Sequence, residues 1–261
     1  MTSVRNPAVA GTFYPADARE LHAMVSAYLN SAKASGPPPK AIIAPHAGYI
    51  YSGPVAATAY AYLAEARGTI KRVVLLGPAH RVAFAGLAAS SAEAFATPLG
   101  TIPVDKPAMA KILTLPQVQV LDEAHAFEHS LEVHLPFLQE VLGDFTLVPL
   151  AVGEATPAEV GEVLEVLWDG SETLIVISSD LSHYYDYETA SKLDLATSRA
   201  IEELRPQDIH YEHACGRNPV NGLLWVARRR GMHARTVDLR NSGDTAGPRD
   251  QVVGYGAYVF A

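Results

Sequence analysis

Cysteine is almost absent from this chain, since Cys215 is the only one among 261 residues. A single cysteine excludes an internal disulfide and agrees with a reducing compartment. Long hydrophobic runs are missing as well. No segment reaches the ~20 apolar residues that a membrane span needs, and residues 1–11 lack the apolar region of a secretory signal. We therefore expect a cytoplasmic protein that does not enter a membrane.

Basic clusters are scarce too. The formal net charge is −8, and Arg228 to Arg230 form the one basic triplet, which at a helix end complements the helix dipole. An acidic chain without a basic face argues against nucleic acid or an anionic membrane as a partner. Neither a phosphate-binding P-loop nor a G-x-G-x-x-G motif occurs, so no nucleotide cofactor is indicated.

The chain does contain apolar segments that alternate with capped helical patterns. This alternation is typical of an α/β domain with a mainly parallel central sheet flanked by helices, and no linker-like stretch divides residues 1–261, so we expect a single domain. The predicted helices cover residues 17–33, 54–67, 105–113, 130–142, 157–168, 187–203, 206–213 and 219–230, and the predicted strands cover 40–44, 72–77, 145–153, 173–178, 233–239 and 251–260, with a hairpin over 85–104.

Three of the predicted strands are followed by a histidine just past their carboxyl ends. His46 stands in APHAGY, His80 in GPAH and His183 in SSDLSHY. Ligands of open α/β sheets bind outside the carboxyl ends of the strands. One histidine after an apolar run is more often a hydrogen-bonded structural residue, but three at the same edge predict a shared site.

Neutral imidazoles with carboxylates nearby are typical ligands of a divalent metal. The candidate carboxylates are Asp180, three residues before His183, and Asp244 in the loop RNSGDTAGPRD. Two histidines and one carboxylate can hold Fe(II) for reaction with a substrate and dioxygen, and the same set can hold Zn(II) with a bound water. The ligand types alone leave the metal undecided.

The segment EHSLEVHLPF adds two more histidines, His129 and His134. Their spacing of five residues differs from the i, i+4 pair of an H-E-x-x-H zinc motif, so either one is a candidate for the pocket wall rather than a member of such a motif. Cys215 precedes a predicted helix whose N-terminus would stabilise a thiolate. A nucleophilic cysteine paired with a histidine is therefore an alternative chemistry.

Five motifs in order, APHAGYIYSG, LGPAH, EHSLEVHLPF, SSDLSHY and ACGRNP, resemble the MEMO family, whose microbial members are labelled AmmeMemoRadiSam system protein B. The resemblance covers essentially the whole chain. It implies a fold similar to the LigB-like class III extradiol dioxygenases, which open catechol rings with non-haem iron. It also implies that His46 and His80 bind a divalent metal, with Fe(II) favoured and Zn(II) or copper as alternatives, and that His183 is the acid/base residue.

The third metal ligand departs from the family pattern. The dioxygenases have a glutamate there, and animal MEMO proteins have a cysteine in the loop before the final strand. This chain has Thr245 opposite that cysteine and Asp244 beside it, so Asp244 is the predicted third ligand. The residues expected to line the pocket are Tyr49, Tyr51, His129, His134, Asp180, Cys215 and Thr245.

Two functions of different class follow from these patterns. The first is a metal-dependent oxidoreductase, similar to a non-haem iron dioxygenase, acting on a small aromatic or phenolic substrate. The second is a non-catalytic protein that keeps the fold in order to bind a metal, a peptide or another partner. The resemblance also implies a functional link to a radical SAM protein and an AMMECR1-like protein.

Overall fold

Helices and strands alternate along most of the chain, as the sequence pattern predicts. The computed structural model describes residues 3–261. Its α-helices are α1 (Ala18–Ser31), α2 (Tyr49–Ala61), α3 (Lys106–Ile112), α4 (Glu123–Ala126), α5 (Leu135–Leu142), α6 (Pro157–Val166), α7 (Tyr187–Glu202) and α8 (Arg217–Arg230). Its strands are β1 (Val4–Arg5), β2 (Ala41–Ala44), β3 (Arg72–Pro78), β4 (Leu87–Ala89), β5 (Ala94–Thr97), β6 (Gly100–Pro103), β7 (Val118–Val120), β8 (Thr146–Val152), β9 (Thr173–Ser178), β10 (His183–Tyr185), β11 (Ala234–Asn241) and β12 (Val252–Phe260).

Local signals in the sequence explain where several helices begin. The Asp17 carboxylate accepts hydrogen bonds from the Arg19 and Glu20 amides in the first turn of α1. Thr156 forms a capping box with Glu159 at the start of α6. Among residues 3–261, no helix is long and apolar enough to cross a membrane.

Three helix boundaries differ from the prediction. Helix α2 covers Tyr49–Ala61 instead of the predicted 54–67, so Pro54 lies inside the helix and does not mark its start, and Ala64–Ala66 form a separate 3₁₀ turn. The predicted helix 206–213 is reduced to one 3₁₀ turn over Pro206–Asp208. The predicted helix 130–142 is a 3₁₀ turn at Glu132–His134 followed by α5, which begins where a proline fits its first turn.

The larger sheet has the strand order β10-β12-β2-β9-β3-β8-β4-β7, and β11 also pairs with β12. Its central strands β2, β9, β3 and β8 are parallel, whereas β12 is antiparallel to β2 and β4 is antiparallel to β8. The sheet is therefore mixed, and only its centre agrees with the prediction of a mainly parallel sheet. Because the central strands run in one direction, β2, β3 and β9 all end at the same edge.

The predicted hairpin over 85–104 is correct in part. Strands β5 and β6 form an antiparallel hairpin in a small sheet with the order β1-β5-β6. Strand β4, at the start of the same stretch, instead pairs with β8 and β7 in the larger sheet. The apolar pattern of 85–104 was compatible with either sheet, and tertiary packing decides between them.

Helices flank the larger sheet and share one core with it, which makes the molecule a single α/β domain. Helix α2 packs against α1, α5 and strand β2, while α8 packs against α6 and strands β3 and β9. The core contains residues from Val9 near one end of the chain to Phe260 at the other. The central strands are therefore packed against helices α2 and α8.

A buried arginine attaches the N-terminal segment to the segment around α4. The Arg5 side chain forms an ion pair with Glu132, and both side chains are buried. The Arg5 Nε and Nη2 atoms also donate to the carbonyls of His125, at 3.1 Å, and Glu128, at 2.6 Å. Arg5 therefore fixes the course of residues 125–132.

Glu132 is the partner that makes this arginine tolerable in the core. A buried charge is strongly unfavourable unless it is paired and hydrogen-bonded. The carboxylate of Glu132 accepts further hydrogen bonds from the amides of Ala8, at 2.7 Å, and Val9, at 3.0 Å, and from the Tyr14 hydroxyl, at 2.6 Å.

We expect Glu132→Ala to lower the free energy of unfolding by about 3–5 kcal/mol, because it leaves the buried Arg5 guanidinium without its anion. Urea unfolding measures this loss. The matched control is Glu93→Ala, which breaks the exposed Glu93–Lys106 ion pair and should cost about 0–1 kcal/mol. Similar small losses for both variants would contradict this account of the network.

Candidate metal site

The histidines predicted at the strand ends line one cleft. His46 follows β2, His80 follows β3, and His183 lies just beyond β9. The cleft has a volume of about 700 Å³. Besides these three histidines, it is lined by Arg81, His129, Asp180, Tyr184, Tyr185, Tyr211, Glu212 and Cys215.

His46 is held by a relay of hydrogen bonds. Its Nδ1 lies 2.6 Å from the Ser178 hydroxyl, which itself donates to the Ser130 carbonyl at 2.7 Å. Because the hydroxyl proton points to that carbonyl, the Nδ1 atom carries its own proton and donates to Ser178. The lone pair is then on Nε2, which lies 3.4 Å from the sulfur of Cys215.

The site favours neutral imidazoles. Burial lowers the pKa of His46 well below its usual value, and the neighbouring histidines His80 and His129 lower it further. Burial also lowers the pKa of His129 to about 4. A neutral imidazole is the form that binds a metal.

His80 is oriented by the buried carboxylate of Glu128. The His80 amide donates to Oε2 at 2.6 Å, and its Nδ1 lies 2.9 Å from Oε1. Burial by itself would raise the pKa of Glu128, but hydrogen bonds from His80 and from the Ser130 amide lower it to about 2. Since an ionised carboxylate can only accept, the His80 Nδ1 must be the donor, and in the neutral imidazole the lone pair is then on Nε2.

Three side chains then converge in the cleft. His46, His80 and Cys215 each offer one ligand atom, and these atoms lie within 4.8 Å of one another. Two imidazole nitrogens and one sulfur suit Fe(II), Zn(II) or copper. A second group, His80, Glu128 and His129, is equally close, but the oxygens of Glu128 already accept N–H groups.

Cys215 reaches the cleft from the turn before α8. Burial raises the pKa of its thiol, and the charge of Asp180 raises it further. A thiol in this setting stays protonated, which disfavours the alternative of a nucleophilic cysteine. A bound metal would displace that proton, so the same thiol suits a ligand. Gly216 permits the close approach of this turn, because a Cβ there would lie 2.5 Å from the Ser178 carbonyl oxygen.

A family model described as Memo-like protein matches residues 5–259. The chain belongs to this family. Three relatives named MEMO1 family protein are 36% identical in Ignicoccus hospitalis and 37% identical in both Aquifex aeolicus and Archaeoglobus fulgidus, and the matches cover 98% of this chain and 98–99% of theirs. A solved structure of an Escherichia coli K12 protein, titled uncharacterized, covers 84% of this chain and 98% of its own at a TM-score of 0.49 and 16% identity.

Asp180 and His183 stand beside the proposed ligands of this Memo-family cleft. Asp180 is buried, accepts the His46 amide at 2.7 Å, and has its other oxygen 3.8 Å from the His46 Nε2. Burial raises its pKa. His183 is partly exposed, and its Nδ1 donates to the Leu181 carbonyl at 2.9 Å. The Nε2 of His183 is therefore left with a lone pair.

The structure does not bring Asp244 to the two histidines. It ends the 3₁₀ turn Ser242–Asp244, where its oxygens accept the Tyr187 hydroxyl at 2.7 Å and the Asn241 amide at 3.1 Å. The Thr245 hydroxyl donates to the Ser242 carbonyl. These local bonds hold both side chains in their own loop, whereas the Cys215 sulfur lies beside His46 and His80.

Three other residues predicted to line the pocket lie elsewhere. Tyr49 is buried and donates to the Val133 carbonyl at 2.7 Å, and His134 is buried with its Nδ1 2.7 Å from the Tyr60 hydroxyl. Burial lowers the pKa of His134 to about 3. Tyr51 lies in the first turn of α2 and is partly exposed.

Three residues important to the site escaped the sequence analysis. Glu128, Ser130 and Ser178 all contact His46, His80 or their hydrogen-bond partners. Glu128 and Ser130 flank His129 in the motif already singled out, and Ser178 ends β9. Their positions in the motifs were therefore a usable signal, although the contacts themselves were not visible.

Asp194 supports the turn that carries His183. It is buried on α7, accepts the Ser182 amide at 3.0 Å, and lies against Gly254, where a Cβ would be 2.0 Å from a carboxylate oxygen. Burial raises its pKa from 3.8 to about 6. The folded protein therefore binds a proton at Asp194 more tightly than the unfolded chain does.

A raised pKa of this kind stabilises the fold below the unfolded pKa, and that contribution is lost as pH rises through about 6. Asp194→Asn removes this dependence. We expect the difference in free energy of unfolding, variant minus wild type, to be about 2 kcal/mol larger at about pH 7 than near pH 4. Urea unfolding at the two pH values measures it, and a difference that does not change with pH would refute the assignment.

Proposed function

We propose that this Memo-family protein is a metal-dependent oxidoreductase that binds a divalent metal, Fe(II) favoured, through His46, His80 and Cys215. The observation that carries the proposal is the convergence of their ligand atoms, within 4.8 Å of one another, in one cleft. Both imidazoles have their Nδ1 atoms engaged elsewhere, which leaves Nε2 as the ligand atom in each.

The donor set is the basis for the choice of metal. Two histidines and one further ligand resemble the set of non-haem iron enzymes, with a thiol in place of the usual carboxylate. A thiolate also attracts Zn(II) and copper, so these ions are competitors. A bound Fe(II) would supply a redox centre at which a substrate and dioxygen meet.

The residues around the proposed ligands suit a small aromatic or phenolic substrate. His183 presents a free Nε2 that can accept a proton from a phenolic hydroxyl, because its Nδ1 is anchored to a carbonyl. The rings of Tyr184 and Tyr211, 71% and 78% exposed, stand in the cleft wall and can pack against a planar ring. Arg81, also exposed in that wall, suits an acidic substituent.

The wider setting belongs to the same proposal. We assign the α/β domain to the LigB-like architecture of class III extradiol dioxygenases and place the protein in the cytoplasm. We also propose the functional link to a radical SAM protein and an AMMECR1-like protein that the family resemblance implies. The competing function is a non-catalytic protein that binds a metal, a peptide or a small molecule in the same cleft, and metal binding with no turnover would favour it.

We expect His46→Ala and His80→Ala to lose stoichiometric Fe(II) binding while the protein stays folded, because each removes a ligand atom. Cys215→Ser should weaken Fe(II) binding and weaken Cu(I) and Zn(II) binding more, since these metals prefer the softer thiolate. Anaerobic calorimetry measures these affinities. Asp244→Ala is the control and should bind as the wild type does. Normal binding by Cys215→Ser together with loss in Asp244→Ala would overturn the proposed third ligand.

We expect His183→Ala to keep the metal stoichiometry of the wild type and to lose turnover by about 10²–10⁴-fold, as for a missing acid/base group. Oxygen uptake with catechol and related phenols, alongside metal analysis of the same samples, provides the readout. Uptake equal to that of the wild type would remove the acid/base role. A metal-loaded wild type that consumes no oxygen with any of these phenols would count against the enzyme and favour the binding protein.

A further inference from the structure

One short segment contacts the partners of both proposed histidine ligands. This Glu-His-Ser segment, residues 128–130, follows α4. Arg5 donates a hydrogen bond to the Glu128 carbonyl and so holds the backbone of the segment. On the other side the segment faces the cleft with His129. Its two outer residues, Glu128 and Ser130, are buried.

The two carboxylate oxygens of Glu128 accept hydrogen bonds from three N–H groups. Oε2 accepts the His80 amide at 2.6 Å, while Oε1 accepts the His80 Nδ1 at 2.9 Å and the Ser130 amide at 2.9 Å. Two of these donors are backbone amides, which cannot become acceptors. A carboxylate satisfies all three, whereas a glutamine would turn an NH₂ group towards at least one of them.

Ser130 completes the arrangement on the His46 side. Its carbonyl accepts the Ser178 hydroxyl at 2.7 Å, and this bond forces Ser178 to act as an acceptor towards the His46 Nδ1. Its own hydroxyl donates to the Pro78 carbonyl at 2.8 Å, two residues before His80. The backbone of Ser130 therefore serves both histidines at once.

We propose that Glu128 and Ser130 are positioning residues that hold His80 and His46 as their Nδ1–H tautomers, so that both Nε2 lone pairs face the metal position. Tautomer control by the partner of the other ring nitrogen is a general feature of histidine ligands. The importance of this control for metal binding depends on the proposed function, but the tautomers themselves belong to the metal-free chain. The two ideas can therefore fail separately.

The first experiment is nitrogen NMR of the imidazoles in uniformly ¹⁵N-labelled, metal-free protein, with His46→Ala and His80→Ala for assignment. We expect both rings as Nδ1–H tautomers, and either ring as the Nε2–H tautomer would overturn the inference. If both tautomers are found and Fe(II) still does not bind, the inference stands and the proposed metal site fails.

The second experiment changes the partner and leaves the ligand in place. We expect Glu128→Gln to weaken Fe(II) binding by about 10–100-fold, with a mixed or reversed His80 tautomer and an unchanged His46 tautomer. Ser178→Ala should do the converse, disturbing His46 alone. A merely structural role for Glu128 would lower stability without moving the tautomer of one histidine.

The matched control is Tyr60→Phe, which removes the Nδ1 partner of His134, a histidine of the same motif that lies outside the cleft. It should leave Fe(II) affinity and both tautomers unchanged. Glu128→Gln protein that is folded, keeps the His80 Nδ1–H tautomer and binds Fe(II) as the control does would overturn the role of Glu128. If that variant does not fold, Ser178→Ala and the wild-type tautomers still decide the question.

Discussion

The site depends on keeping the carboxylate of Glu128 ionised where burial opposes it. Burial would raise its pKa, yet three N–H groups donated by His80 and Ser130 lower it to about 2. Arg5 donates to the Glu128 carbonyl and pairs with Glu132, which helps to hold the backbone that carries Glu128. The two glutamates of one motif therefore have different tasks: Glu132 stabilises the packing of the segment, and Glu128 faces the histidine. Substitution of Glu128 would remove a direct partner of His80. Substitution of Glu132 would act indirectly, through Arg5 and the backbone that Arg5 holds.

Burial also favours the neutral forms of His46 and of the Cys215 thiol in the metal-free protein. Burial and the neighbouring histidines lower the pKa of His46, and burial with the charge of Asp180 raises the pKa of the Cys215 thiol. An imidazolium at His46 and a thiolate at Cys215 would each be costly in this buried place, and the neutral forms avoid that cost. A metal that took the thiol as a ligand would release its proton and compensate the negative charge of the thiolate. Such a site would offer the metal three donor atoms.

The histidines at the strand ends could be predicted from the sequence, but the side chains that contact them from distant parts of the chain could not. His46, His80 and His183 could be predicted because an apolar run in an α/β pattern marks a central strand, and the ends of parallel strands share an edge. Cys215 could not be chosen over Asp244, because the sulfur and the His46 ring are 169 residues apart in the chain and no spacing rule connects them. Asp244 was a candidate ligand because it is a carboxylate in a loop near the final strand. Carboxylates in loops also cap turns, and the Asp244 side chain accepts a hydrogen bond from the backbone of its own turn.

The sheet itself shows the same limit, since the alternation of elements predicted its parallel centre and not the antiparallel pairings made by β12 and between β4 and β8. That division has a consequence for function. The proposed ligands are held by buried strand ends and relays, whereas His183 and Tyr184 lie on the short strand β10, whose register with β12 is irregular. Tyr184 adopts a φ of 64°, a left-handed conformation that is unfavourable for a tyrosine and is found where the surroundings impose it. The proposed ligands His46 and His80 thus follow central strands, while His183 and Tyr184 lie on the margin of the sheet, where substitutions would leave the proposed ligands in place.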